Sequence, residues 1–147
     1  MENLLLTESA IFYLGITRKW ANFIAIVMFV MIGLMVLAGI FMGFALSAVS
    51  SMAVNSPMPL PAGFFTFFYL LMAAVYFFPA LYLYRFAQHL GIALTVGSSE
   101  ELAQSFLFLK RHYHFIGVLI IIGLIITGLA FLIAVLAGIF GVMGTQA

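Results

Sequence analysis

Three long apolar runs divide the chain, and its charged residues are confined to the segments outside them. No Asp, Glu, Lys or Arg occurs from residue 20 to residue 84, or after Arg111. A helix needs about 20 apolar residues to cross the hydrocarbon of a bilayer. The pattern therefore predicts an all-α polytopic membrane protein with three transmembrane helices. These are span 1 at residues 20–49, span 2 at residues 63–84 and span 3 at residues 115–141.

Three segments outside the spans differ in character. Residues 1–19 form a leader in which Thr7 is expected to cap a short helix lying in the membrane interface. Residues 50–62 hold three of the four prolines and no charge, and prolines at that density prevent a continuous helix. Residues 85–114 hold three of the five basic residues and all three histidines. This last segment is the most informative part of the chain.

Residues 85–114 are predicted to form a helical hairpin between spans 2 and 3. Gly97 can take the left-handed conformation that ends a helix. Ser98 precedes Glu101 by three residues, which is the spacing of a capping box at the start of the next helix. Two antiparallel helices joined by a tight turn follow, and Pro79 is expected to bend span 2 just before them.

The distribution of positive charge predicts the orientation. Every Lys and Arg lies before span 1 or in the hairpin, while the proline-rich loop and the C-terminal segment carry none. By the positive-inside rule the N-terminus and the hairpin are cytoplasmic, and the C-terminus is periplasmic or external. The residues expected to anchor the chain in the headgroup layer are Arg18, Lys19, Trp20, Arg85, Lys110 and Arg111.

Composition narrows the functional classes. The chain is 67% hydrophobic and only 6% charged, whereas soluble domains carry about 25% charged residues. A net charge of +1 provides no basic field for nucleic acid. The absence of cysteine excludes thiolate metal sites and iron–sulfur clusters. The lipid bilayer is the expected first partner, and neither nucleic acid nor a metal ion is expected.

Two stripes of small residues are candidates for helix packing. Small side chains at intervals of four permit close contact between helix backbones in a membrane. Packing within the chain and packing against another subunit both explain them. The stripes are Gly39, Gly43 and Ser47 in span 1, and Ala130, Ala134 and Gly138 in span 3.

The three histidines are the candidates for cofactor chemistry. His89 could hold a b-type haem, or contact a quinone, together with either His112 or His114 on the facing helix. Counted from the turn, His89 and His112 differ in level by about 7 Å at roughly 1.5 Å per residue, which weakens this hypothesis. Histidines half-exposed at the membrane surface are the simpler interpretation. No ionisable group lies in the middle of a span, so no catalytic residue is assigned.

Three short motifs accompany the apolar runs: residues 18–20 (RKW) before span 1, residues 84–86 (YRF) after Pro79, and residues 110–113 (KRHY) before span 3. With these motifs, residues 17–40, 78–90 and 100–119 resemble a family of small bacterial inner-membrane proteins known only as a domain of unknown function. The resemblance implies a bacterial plasma membrane and a hairpin of this kind. It assigns no catalytic residue or ligand.

Together these observations predict a non-catalytic accessory or scaffolding subunit of a bacterial membrane assembly, or a homo-oligomer. It would act through helix packing and the cytoplasmic hairpin. A haem- or quinone-contacting electron-transfer subunit is the first alternative. A homo-oligomeric channel-like protein is the second, although the spans offer only Ser47, Thr66 and Thr127 as polar groups along a water-filled path.

Overall fold

A computed structural model of the 147-residue chain describes residues 6–52 and 62–144, with side-chain surroundings for residues 6–49 and 63–138. These residues form three α-helices and no strand: α1 (Glu8–Met52), α2 (Ala62–Val96) and α3 (Ser99–Gly144). Each helix is long and apolar enough to cross a membrane. The predicted all-α class with three such helices is confirmed. Most of the predicted proline-rich loop, residues 53–61, lies outside the described part of the chain.

The helix ends follow the local signals in the sequence. The backbone N–H of Ala10 donates to Thr7 Oγ1 at 3.3 Å where α1 starts. That of Glu101 donates to Ser98 Oγ at 3.3 Å where α3 starts. Gly97 has a φ of 70°, the left-handed conformation that a residue without Cβ adopts most easily. The predicted caps and the helix-ending glycine are therefore confirmed.

No helix boundary separates the predicted leader from span 1. From Glu8 to Met52, α1 is one helix of 45 residues, which is about 67 Å long at roughly 1.5 Å per residue. This stretch contains no proline, the residue that most strongly interrupts a helix. The leader from Glu8 onward is thus the first part of α1 rather than a separate interfacial helix.

The helices α1 and α2 lie side by side and run in opposite directions. As residue numbers rise along α1, the residues they contact on α2 fall in number. The contacts pair Arg18 with Gly91, Phe29 with Phe77, and Gly39 with Tyr69. The contact between α1 and α2 therefore extends along α1 from Arg18 to Gly43.

The first small-residue stripe is used in this packing. A Cβ atom on Gly39 would lie 2.7 Å from Tyr69 Cβ, and one on Gly43 would collide with the hydroxyl of Thr66. The same hydroxyl donates a hydrogen bond to the carbonyl oxygen of Gly39 at 3.1 Å. Ser47, the third member, is exposed, and its hydroxyl donates to a carbonyl of its own helix. The two glycines let the backbones of α1 and α2 approach closely.

The buried core lies where three helix segments meet. The small side chains of Ala21 and Ala25 on α1 lie among larger ones on α2, which lets the two helices pack closely. Burying each large apolar side chain contributes about 1.5–3 kcal/mol. The core bundle comprises Ala21, Ala25, Leu83, Phe86, Ala87, Leu90 and Phe108.

The chain divides into two compact units, and the core bundle belongs to the first, Met1–His112. The second unit, Tyr113–Ala147, contains the remainder of α3. Its second small-residue stripe lies along one face of the helix because the spacing is four residues. All three of its members, Ala130, Ala134 and Gly138, are exposed. Their role as a packing surface stays a prediction.

We expect Gly39→Ala to destabilise the protein by about 1–3 kcal/mol, because the added methyl group overpacks the contact with Tyr69. Gly33→Ala is the matched control, since nothing lies within 4 Å of a Cβ atom there. Thermal unfolding in detergent micelles, followed by circular dichroism, compares the two. Equal midpoints for both variants would contradict the assigned packing.

Candidate functional site

Polar and charged side chains gather around Phe108, where α2 and α3 face each other. On α2, Arg85 and His89 are four residues apart and therefore share a face. On α3, Glu101 and Arg111 lie seven residues before and three residues after Phe108, spacings that bring all three to one face. These five residues are called the Phe108 cluster below. Three of them are separated from the other two by the turn at Gly97.

His89 and Glu101 join the end of α2 to the start of α3. Their atoms Nδ1 and Oε2 are 2.7 Å apart, and each side chain is about one-third exposed, at 32% and 33%. The His89 ring also stacks on Phe108, with 5.1 Å between centroids and 18° between planes. A protonated imidazole would make this a charge-assisted hydrogen bond. The predicted capping residue Glu101 thus directs its carboxylate to the neighbouring helix.

Two arginines from different helices approach the same aromatic ring. The guanidinium carbons of Arg85 and Arg111 lie 5.6 Å and 5.7 Å from the centroid of Phe108, within the range of a cation–π attraction. Both side chains are exposed, and Phe108 is buried. Within residues 6–49 and 63–138 neither arginine forms an ion pair, since His89–Glu101 is the one pair found there. The cluster therefore holds two arginine charges and one carboxylate, and that carboxylate contacts His89 rather than an arginine.

His112 is buried rather than half-exposed at a membrane surface. Only 7% of its surface is accessible, and its Nδ1 donates to the carbonyl oxygen of Pro79 at 2.8 Å. A carbonyl can only accept, so Nδ1 carries a proton and is the donor of this bond. Pro79 itself lacks an N–H and weakens α2 at this point. His112 ties α3 to α2 there, a role that nothing in the sequence indicated.

The histidines proposed for haem lie at different levels along α2. His112 contacts Pro79, which is ten residues from His89, or about 15 Å along a helix at roughly 1.5 Å per residue. The predicted offset was half as large, because Glu101 in the first turn of α3 is already level with His89. His114 is exposed and belongs to the second unit. Among the described residues no three His, Asp or Glu side chains gather as metal ligands.

The predicted membrane anchors are also spread along the helices. The guanidinium of Arg18 occupies the space beside the Gly91 backbone, where a Cβ atom would collide with it. Lys110 and Arg111 directly precede His112 and so lie near the level of Pro79. Gly91 and Pro79 are twelve residues apart, about 18 Å along α2. One headgroup layer, roughly 5–7 Å thick, does not span that distance.

No family model, no curated protein and no solved structure matches the chain. The resemblance to a family of unknown function therefore stays a prediction.

Replacing His112 with Ala is expected to lower the free energy of unfolding by about 1–3 kcal/mol, because a buried hydrogen bond and its packing are lost. His114→Ala should change it by less than about 0.5 kcal/mol, as expected for an exposed side chain. Chemical unfolding in micelles measures both. An equal effect of the two substitutions would show that the bond to Pro79 contributes nothing.

The contribution of the Glu101–His89 contact to stability can be separated from the interaction of Glu101 with the helix dipole. Glu101→Ala should cost about 0.2–1 kcal/mol more than Glu100→Ala, because both carboxylates lie in the first turn of α3 but only Glu101 contacts His89. The difference between their unfolding midpoints is the measurement. A Glu100 effect as large as that of Glu101 would assign both to the dipole.

Proposed function

We propose that this chain is a non-catalytic accessory or scaffolding subunit of a bacterial inner-membrane assembly, with its N-terminus and the α2–α3 turn in the cytoplasm. One observation carries the proposal. The N-terminal part of α1 buries one apolar face in the core bundle and exposes a second apolar face at the level of charged residues on α2 and α3. Such a helix, apolar on two sides, requires another surface to cover it.

The helix register suggests where the bilayer ends. The ring of Phe29 lies 5.7 Å from that of Phe77 and 6.2 Å from that of Tyr84, so Phe29 is close to the level of Pro79 and of Lys110. From this level to the opposite side, residues 29–49 of α1 and residues 63–81 of α2 carry no charge. Each length matches the roughly 20 residues that cross the hydrocarbon. We therefore place the cytoplasmic boundary there, and span 1 becomes residues 29–49.

A boundary at Trp20 is less favourable. Trp20 is nine residues from Phe29, or about 13 Å along α1. A bilayer reaching that far would enclose Arg85, Lys110 and Arg111, and a charged side chain costs about 2.5–3.5 kcal/mol at the centre of a membrane. The charges on α2 and α3 thus favour the placement at Phe29.

The exposed face of α1 then lies in the headgroup layer and the cytoplasm. Its large side chains recur every three or four residues and form a continuous stripe, the α1 stripe, on the side away from Ala21 and Ala25. An exposed apolar surface of this kind marks an interaction site. The α1 stripe comprises Phe12, Ile16, Trp20, Phe23 and Val27, which are 65%, 40%, 62%, 57% and 43% exposed.

The polar contacts of the junction support a structural role. His89 bonds to Glu101, and His112 bonds to the Pro79 carbonyl, so both histidines hold α3 against α2. The positive-inside rule supports the cytoplasmic assignment of this region, because all five Lys and Arg residues lie on one side of the proposed bilayer. A rigid bundle bearing an apolar stripe is suited to hold another subunit.

Photo-crosslinking tests the proposal. A benzophenone side chain replacing Phe23 should form a protein adduct of discrete mass in intact cells, because the α1 stripe faces a partner. The same probe replacing Phe41, which is exposed at 77% and lies within the proposed hydrocarbon layer, is the matched control. It should react mainly with lipid.

The adduct identifies the assembly. A mass twice that of the chain indicates a homo-oligomer, and a different mass indicates a separate subunit. Lipid adducts at both positions, together with a monomeric particle in native nanodiscs, would refute the proposal. A strong Soret band in the absorption spectrum of the same preparation would favour the haem alternative instead.

A further inference from the structure

We propose that Arg85, Phe108 and Arg111 form a binding site for the phosphate of an anionic lipid headgroup. The site depends on the membrane placement proposed above but not on any protein partner. Its chemistry is that of two guanidinium groups, which bind phosphate oxygens through pairs of parallel hydrogen bonds.

The two arginines are brought together only by the fold. Arg85 belongs to α2 and Arg111 to α3, and each guanidinium carbon lies within 6 Å of the Phe108 centroid. Contact with the ring restricts both side chains before any ligand binds. Less conformational entropy is then lost on binding than with free surface arginines. An anion bound beside the ring also offsets the positive charge of both groups.

The nearby carboxylate is already engaged. Glu101 Oε2 contacts His89 Nδ1 at 2.7 Å, and in the described part of the chain no other ion pair is present. Neither arginine is paired with a carboxylate of the described residues, so a phosphate does not have to displace an internal ion pair. Both arginines are exposed, so the ligand reaches them without a rearrangement of the core bundle.

The position of the site favours a lipid over a free phosphate. Arg111 lies near the level of Pro79, and Arg85 is six residues from Pro79 toward the cytoplasm, or about 9 Å. The phosphate layer of the proposed bilayer occupies this depth. On α2, Phe78 lies seven residues before Arg85, hence on the same face, and it is 48% exposed. An acyl chain descending from the headgroup would pass along it.

Lipid binding to the purified full-length protein tests this site. Native mass spectrometry from a neutral detergent compares phosphatidylglycerol with phosphatidylcholine. The unmodified protein should bind phosphatidylglycerol more tightly. Arg85→Gln and Arg111→Gln should each weaken that binding about tenfold, since a hydrogen bond to a charged group contributes at least that factor. The adjacent Lys110→Gln removes the same charge without contacting the ring and should keep most of the affinity.

The results with these variants and ligands distinguish a specific lipid site from general attraction to positive charge. An equal loss in Lys110→Gln would overturn the site and leave only general attraction to positive charge. Glycerol phosphate or inorganic phosphate that binds as tightly as phosphatidylglycerol would overturn the lipid assignment. Phe108→Leu, which keeps both charges, should also weaken binding, and unchanged affinity there would remove the ring from the site. Circular dichroism of every variant verifies that helix content is retained. Native mass spectrometry resolves each oligomeric state by its mass, so lipid counted on the monomer peak reports on this site independently of the α1 stripe.

Discussion

The close approach of α1 and α2 at Gly39 and Gly43 fixes the position of one helix along the other in the first unit. Thr66 and Tyr69 contact these glycines, so a shift of one helix along the other would produce a steric clash. The alignment of the two helices at this point sets which residues face each other along the rest of their contact. At the other end Arg18 lies against Gly91. This register places Ala21 and Ala25 of α1 beside the residues of α2 that belong to the core bundle.

The two histidine contacts both connect α2 to α3. Pro79 lies inside α2 and leaves that helix one N–H short. His112 bonds to the carbonyl of Pro79 and His89 bonds to Glu101, so two histidines on different helices join α2 to α3 at points about 15 Å apart along α2. Both rings therefore take part in contacts between helices.

The α1 stripe is apolar and the Phe108 cluster is charged, so the two surfaces require different environments. Apolar side chains such as Trp20 and Phe23 lie beside a region that carries Arg85 and Arg111, and neither water nor hydrocarbon suits both. A headgroup layer that binds the arginines, together with a protein surface that covers the α1 stripe, satisfies both sets of groups. The two proposals therefore describe complementary parts of one boundary between membrane and cytoplasm.

The sequence by itself determined the features that depend on neighbouring residues: three apolar helices, the cap at Thr7, the glycine turn at Gly97 and the start of α3 at Ser98. Each arises from backbone preferences or hydrogen bonds spanning a few positions. Only the tertiary structure decided which residues of one helix lie beside which residues of another. The sequence placed Trp20 and Lys110 in one headgroup layer and left His112 at a membrane surface, whereas packing separates the first two and buries the third. Interhelical register depends on how side chains far apart in the chain fit together. The stripe at Gly39 and Gly43 indicated a packing face, but nothing in the apolar runs indicated which residues of another helix would meet it.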